Sequence, residues 1–325
     1  MICKFAQINL GLLKVPQLSI VQRYRKEGYT MEYVTLSNGV KMPILGYGVY
    51  QVTQEECERC VMDALEVGYR SIDTAQSYFN ETETGSAIKK FGVPREEIFL
   101  TTKVWVEHYG YEEAKKSVLD SMEKLQVSYL DLCLLHQPFN DYYGAYRALE
   151  DLYEEGKIRA IGVSNFYPDR LVDLASFTKI PPMVNQVETH VFDQQMEANK
   201  WMKKYHVAHE AWAPFAEGRQ DTFSNAVLTQ IGKKYGKTTA QVMLRWNIQR
   251  GVIVLPKSTH KERMEENLNV FDFTLSEEDM AAIAALDTET SAFFSHYDPN
   301  MVEWFVKMVE ERKHQHDSSK EEKSW

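Results

Sequence analysis

The chain has little cysteine, no long apolar run and no surplus of positive charge, and each shortage removes a class of function. Only 4 cysteines occur in 325 residues, too few for a disulfide-stapled secreted scaffold and in keeping with a reducing, cytoplasmic setting. Cys57 and Cys60 make a Cys-x-x-Cys, but Cys3 and Cys133 supply no second pair at zinc-ligand spacing. The run "TQEECERCVMDALEVG" reads as an amphipathic helix instead, so no metal is expected. No apolar stretch approaches the roughly 20 residues of a membrane helix. Ile8 to Ile20 is broken by Lys14 and Pro16 and lacks a small-residue cleavage signature. The net charge of −10 argues against a nucleic-acid backbone or an anionic membrane as partner. The glycine-rich dinucleotide motif is missing too, because the nearest run, Gly46 to Gln51, has glutamine where the third glycine belongs.

With 44% hydrophobic and 26% charged residues, a sizeable core is available. Short apolar, β-rich pieces recur at Ile44–Val49, Tyr69–Asp73, Ile98–Lys103, Tyr129–Leu135, Ile158–Val163, Met183–Val187, His206–Ala211 and Val252–Leu255. Helix-like stretches intervene at Gln54–Val67, Tyr111–Leu125, Gly144–Glu155, Asp169–Ala175, Asp193–Lys204 and Thr238–Gln249, and the polar segment behind Tyr78 could start another. Such alternation implies parallel pairing and predicts an α/β fold, a closed (β/α)8 barrel of the TIM type. Ahead of it, "YVTLSNGVKMP" carries the Asn-Gly hairpin signal, expected to close the barrel bottom. Residues 1–31 read as an extension outside the core, 32–298 as the barrel, and 299–325 as a C-terminal helix and charged, disordered tail.

Barrel enzymes draw their sites from the C-terminal ends of the strands. The first ends at Tyr50, the second at Asp73 with Tyr78 behind it, and the third at Lys103 with Trp105. The next three end at His136, at Ser164 and Asn165, and at Gln186. The last two reach Trp212 and the run Lys257-Ser258-Thr259. Every strand thus brings a polar, titratable or aromatic group to one rim. A free phenol, with a pKa of about 10, is a poor acid at neutral pH. Lys103 should lower that value, Asp73 should hold Lys103 charged, and His136 should aim the oxygen that Tyr78 protonates. No nucleophile with an adjacent base is present. The set suits protonation of a developing alkoxide, with a hydride from a cofactor.

In order and spacing, "YRSIDTAQSYFNE", "IFLTTKVW", "YLDLCLLHQP", "GKIRAIGVSNF", "MVNQVETH" and "LPKSTHKERMEEN" resemble the signatures of the aldo-keto reductases, from about Tyr33 to about Leu286. The resemblance implies that Asp73, Tyr78, Lys103 and His136 form a catalytic tetrad and that the cofactor is NADPH (NADP+). Ser164, Asn165 and Gln186 then match groups that hold the carboxamide, and Trp212 replaces a stacking tyrosine. Lys257, Ser258, Thr259 and Arg263 match a 2′-phosphate pocket, Glu266 and Asn267 lie near the adenine, and Phe215 to Arg219 pass over the pyrophosphate. Ion pairs of Lys257 or Arg263 with Glu262 or Glu266 are the plainer alternative.

Departures from the family pattern bear on substrate. Gln137 follows the histidine in place of a tryptophan, Phe79 replaces a glycine and Val191 a proline. Tyr50, Phe79, Trp105, His136 and Gln137 should line the pocket, an aromatic wall with one amide. That suits small polar carbonyls and resembles the bacterial branch associated with diketogluconate and methylglyoxal reduction. The segment "FFSHYDPNMVEWF" could fold over the mouth or cap the outside. A monomer or weak dimer is expected. An NADPH-binding sensor or regulatory subunit with little turnover is the competing reading, and a non-redox isomerase a third.

Overall fold

The computed structural model describes residues 22–26 and 29–322, with side chains over 31–312. Three antiparallel strands come first, β1 (Gln22–Lys26), β2 (Tyr29–Thr35) and β3 (Lys41–Pro43). The Asn-Gly turn forms as expected: Thr35 faces Lys41, and Gly39 takes φ 88° and donates to Leu36 O at 2.9 Å. β1 and the start of β2 fall in the segment set apart as an extension. They are paired nonetheless, Tyr24 opposite Met31, and Met31 is buried. Asn38 Nδ2 reaches Arg159 O, ahead of a barrel strand, at 2.9 Å, which puts the hairpin at the strands' N-terminal end.

Eight parallel strands follow in chain order: β4 (Tyr47–Gly48), β5 (Ser71–Asp73), β6 (Phe99–Val104), β7 (Leu132–Leu135), β8 (Ile161–Ser164), β9 (Val184–Glu188), β10 (Ala208–Trp212) and β11 (Ile253–Val254). The sheet closes on itself, since Leu45 bridges Val254 and Gly46 N donates to Val254 O at 2.9 Å. A Cβ on Gly46 would stand 2.8 Å from Leu255 Cδ2. That glycine is needed for barrel closure, not for a nucleotide turn. "FLTTKV" and "LCLL" are buried at every position, as expected where helices cover the outside and side chains fill the inside.

The helices are α1 (Gln54–Val67), α2 (Glu81–Phe91), α3 (Tyr111–Lys124), α4 (Tyr142–Glu154), α5 (Pro168–Phe177), α6 (Met196–Lys204), α7 (Ala226–Tyr235), α8 (Thr239–Gln249), α9 (Lys261–Leu268), α10 (Glu277–Ala284) and α11 (Pro299–Glu322). Cys57 and Cys60 lie on the buried face of α1, and burial raises the Cys57 thiol to about 11. Among the described residues no cluster of three metal-ligating side chains occurs, and no helix is long and apolar enough to cross a membrane. α6 starts later than its sequence pattern suggests, because His190 and Asp193 exchange backbone hydrogen bonds in a tight turn. α11 runs to Glu322, within the segment read as a C-terminal helix and tail, and Lys307 and Glu311 support it with an i,i+4 ion pair at 3.8 Å. Of the two open placements for the C-terminal segment, the structure takes the mouth. Buried Phe305 on α11 packs 5.9 Å from the Trp105 ring and 5.2 Å from Phe139.

Candidate active site

Asp73 ends β5, Lys103 lies near the end of β6, and His136 directly follows β7, so the barrel itself holds three groups at one rim. Tyr78 closes a short 3-10 turn, Gln76–Tyr78, behind β5. Gln76 fixes that turn: its side chain accepts from Trp105 N at 2.8 Å and donates to Ser121 Oγ at 3.1 Å. Asn80 anchors the other side, donating to Val49 O at 3.0 Å and Val52 O at 3.2 Å. Lys103 Nζ, fully buried, donates to Asp73 Oδ1 at 2.5 Å, to Thr74 O at 3.0 Å and to Tyr78 Oη at 3.3 Å. Asp73 and Tyr78 are not hydrogen-bonded to each other; they converge on Lys103. The His136 ring stands 5.7 Å from that of Tyr78, edge-on, with Ser77 Oγ 3.4 Å from its Nδ1.

The charges sort as a proton donor requires, with one correction. Burial pushes the Tyr78 phenol up to about 12, outweighing the pull of Lys103, whereas a lowered value is expected from the residue types alone. Burial also works against the Lys103 charge, but Asp73 and Tyr78 overcome it and hold the ammonium charged. His136 is driven well below the ordinary imidazole value by burial first, then by the nearby cations Lys103 and Arg312 and by His296. At neutral pH the three are a neutral phenol, an ammonium and a neutral imidazole.

Behind these four candidate groups lies a carboxyl group that strand patterning alone does not single out. Gln186 Nε2 donates to Asp73 Oδ2 at 3.0 Å and to Glu210 Oε2 at 2.9 Å. Burial and the charge of Asp73 raise Glu210 from 4.5 to about 8. A carboxyl with its folded value above its unfolded one takes up a proton on folding. Its contribution to stability is therefore lost as pH rises from about 5 towards about 8. Glu210→Gln should flatten this decline in Tm, which thermal melts across that range would read; an unchanged slope would place the proton elsewhere.

The groups matched to the carboxamide do come together. Ser164 pairs with Gln186 across β8 and β9, its Oγ donating to Gln186 O at 2.8 Å. Asn165, at φ 65°, donates to His136 O at 3.1 Å and accepts from Trp212 Nε1 at 2.9 Å. Trp212 is thereby fixed at the rim, its ring 5.2 Å from Phe293. Tyr50 lies 5.0 Å from Tyr78, ring to ring, and Trp105 5.1 Å from His136. Gln137 is buried, and its Oε1 lies 2.8 Å from Nε2 of His296 in the C-terminal segment.

A second cleft of about 610 Å3 adjoins the rim. Phe215, Lys257, Ser258, Thr259, Arg263, Glu266 and Asn267 all line it, together with Thr238–Ala240, His260 and Phe223. Among the described residues neither Lys257 nor Arg263 has an acidic partner, and Glu266 instead accepts from Thr238 Oγ1 at 2.7 Å. The plainer ion-pair alternative is absent. Two unpaired cations thus share the cleft with Ser258, ahead of the N-terminus of α9.

Residues 44–288 match the Aldo/keto reductase family. The chain belongs to that family. It is 48% identical over 258 residues to glyoxal reductase of Bacillus subtilis, covering 79% of this chain and 93% of that one. To methylglyoxal reductase DkgA of Escherichia coli it is 40% identical over 257 residues, 78% of this chain and 93% of that. A silkworm (Bombyx mori) aldo-keto reductase crystallised with NADPH superposes with a TM-score of 0.79 at 30% identity, covering 83% of this chain and 92% of that one. The aldo/keto reductase match stops at residue 288. His296, Phe305 and Arg312 lie beyond it and still reach the mouth, which is why sequence motifs could not find them.

Proposed function

We propose that this aldo/keto reductase reduces small aldehydes and ketones to alcohols, with NADPH as reductant and Tyr78 as proton donor. The observation that carries the reading is the buried Asp73–Lys103–Tyr78 chain beside a neutral His136. A carbonyl oxygen placed between Tyr78 Oη and the His136 ring would accept hydrogen bonds from both. When bound, the nicotinamide supplies a hydride to the carbonyl carbon. As charge develops on the oxygen, Tyr78 yields its proton to it, and the ammonium 3.3 Å away stabilises the phenolate left behind. Asp73 keeps that ammonium charged and aimed. Ser164, Asn165 and Gln186 would hold the carboxamide against Trp212, and because Gln186 Nε2 is spent on two carboxyl groups, its Oε1 is the atom left to serve. Lys257 and Arg263 would take the 2′-phosphate, with Ser258 and Thr259 beside them and Glu266 and Asn267 near the adenine.

The dicarbonyl names of the relatives and the aromatic wall of Tyr50, Phe79 and Trp105 favour small polar carbonyls. Steady-state NADPH oxidation should be rapid with glyoxal, methylglyoxal and simple aldehydes. Tight NADPH binding without oxidation across such a panel would favour a sensor. The double substitution Lys257→Ala/Arg263→Ala should weaken NADPH on the order of 100-fold in fluorescence titrations while NADH changes little, since each cation contributes a charge-assisted contact to the phosphate. Equal losses for both would remove the phosphate pocket.

A further inference from the structure

Glu210 is fully buried inside the barrel, and the proton-donor chain makes no direct use of it. Its Cα is in register with that of Gln186 across β10 and β9, so the two side chains leave the sheet side by side on one face. Trp212 follows two residues on along β10, on the same face and one layer nearer the rim. Gln186 Nε2 gives its two hydrogens to two carboxyl groups, Glu210 Oε2 at 2.9 Å and Asp73 Oδ2 at 3.0 Å. An amide held by a single acceptor can still turn about its terminal bond. Two acceptors fix its plane, and with it the direction of its oxygen. Gln186 Oε1 itself receives no hydrogen bond among the described residues. Glu210 Oε1 is buried without a hydrogen-bond partner among the described residues, so the acid's side-chain hydrogen bonding goes to Gln186 alone. A buried polar group with an unpaired atom costs stability, so packing does not account for an acid at this position.

We propose that Glu210 is a positioning residue for the cofactor: acting through Gln186, it aims an amide oxygen at the N–H2 of the nicotinamide carboxamide, so that the pocket selects for that group. The assignment rests on the NADPH reading above and deepens it. A carboxamide N–H2 needs an acceptor. Asn165 Oδ1 and Ser164 Oγ already accept, from Trp212 Nε1 at 2.9 Å and from Asn165 Nδ2 at 3.2 Å. Gln186 Oε1 is the open one, and Glu210 directs it. A protonated Glu210 suits the task, because it accepts through one oxygen without placing a second negative charge beside Asp73. Burial and the Asp73 charge keep it in that form at neutral pH. The same N–H2 of Gln186 braces Asp73, so carboxamide recognition and the orientation of the Lys103 partner are tied through one side chain.

The test compares NADP+ with its 3-acetylpyridine analogue, in which a methyl group replaces the carboxamide N–H2, by calorimetric binding to the wild type and to three variants. Glu210→Met removes the acceptor at similar volume, Glu210→Asp withdraws it by one methylene, and Glu210→Gln keeps it. The wild type should bind NADP+ about three- to tenfold more tightly than the analogue, the scale of one neutral hydrogen bond. In Glu210→Met and Glu210→Asp that preference should shrink to less than about twofold, by a loss for NADP+ with the analogue little changed. Glu210→Gln should retain it. Equal weakening of both dinucleotides in Glu210→Met and Glu210→Asp, or an unchanged preference there, would overturn the proposal, since Glu210 would then only fill the barrel. Should Glu210→Met fail to fold, Glu210→Asp decides by the same comparison. A wild type that binds both dinucleotides without preference overturns this assignment and leaves the NADPH reading intact, whereas one that binds neither overturns both.

Discussion

Tyr78→Phe should cut carbonyl reduction by at least about 100-fold, the usual contribution of a positioned general acid, and leave NADPH affinity within about twofold. The phenol's described polar contact is the donation from Lys103 Nζ at 3.3 Å, and the ring keeps its packing against Tyr50 as phenylalanine. Stability should change little for the same reason. The substitution removes one proton and little else. Single-turnover reduction alongside a cofactor titration separates the outcomes. Wild-type turnover in the mutant would take the proton donor's role from Tyr78.

Lys103→Met should be costly in both activity and stability. Lys103 and Asp73 form a buried pair, and removing the cation leaves a buried carboxylate with Gln186 Nε2 as its remaining side-chain donor. Breaking one member of such a pair costs about 3–5 kcal/mol. Asp73→Asn in the Lys103→Met background removes the stranded charge, so the double variant should regain a large share of that stability in urea denaturation and none of the activity. Additive losses would mean that the two groups do not act as a pair. A regained activity would contradict the role given to the ammonium.

Which parts of this were legible in the sequence follows from what is local. Parallel strands buried on both faces leave continuous apolar runs, so "LCLL" announces itself, "FLTTKV" is marked by its apolar and β-branched residues, and their rim residues can be read off their ends. Asp73, Tyr78, Lys103 and His136 could be read as one candidate group because each sits at or just behind a strand end. What was not legible depends on contacts distant in sequence. The phenol's upward shift follows from burial, which residue types do not reveal. That His296, far along the chain, meets the Gln137 amide oxygen at 2.8 Å cannot be read from the neighbours of either residue. Arg312 lies in a charged run that looks like a solvated tail, and only the fold brings it to Phe79 and Trp105. Glu210 sits in a β-strand with no motif to mark it, and its partner is the glutamine shared with Asp73.

The central claim is that this rim performs reduction rather than merely holding a cofactor. It is tested most directly by mixing the NADPH-loaded protein with methylglyoxal in a single turnover and quantifying both the NADPH consumed and the alcohol formed. One equivalent of each, with the rate collapsing in Tyr78→Phe, is the predicted result. Saturating NADPH binding with no alcohol formed from methylglyoxal or any other small aldehyde or ketone would contradict it.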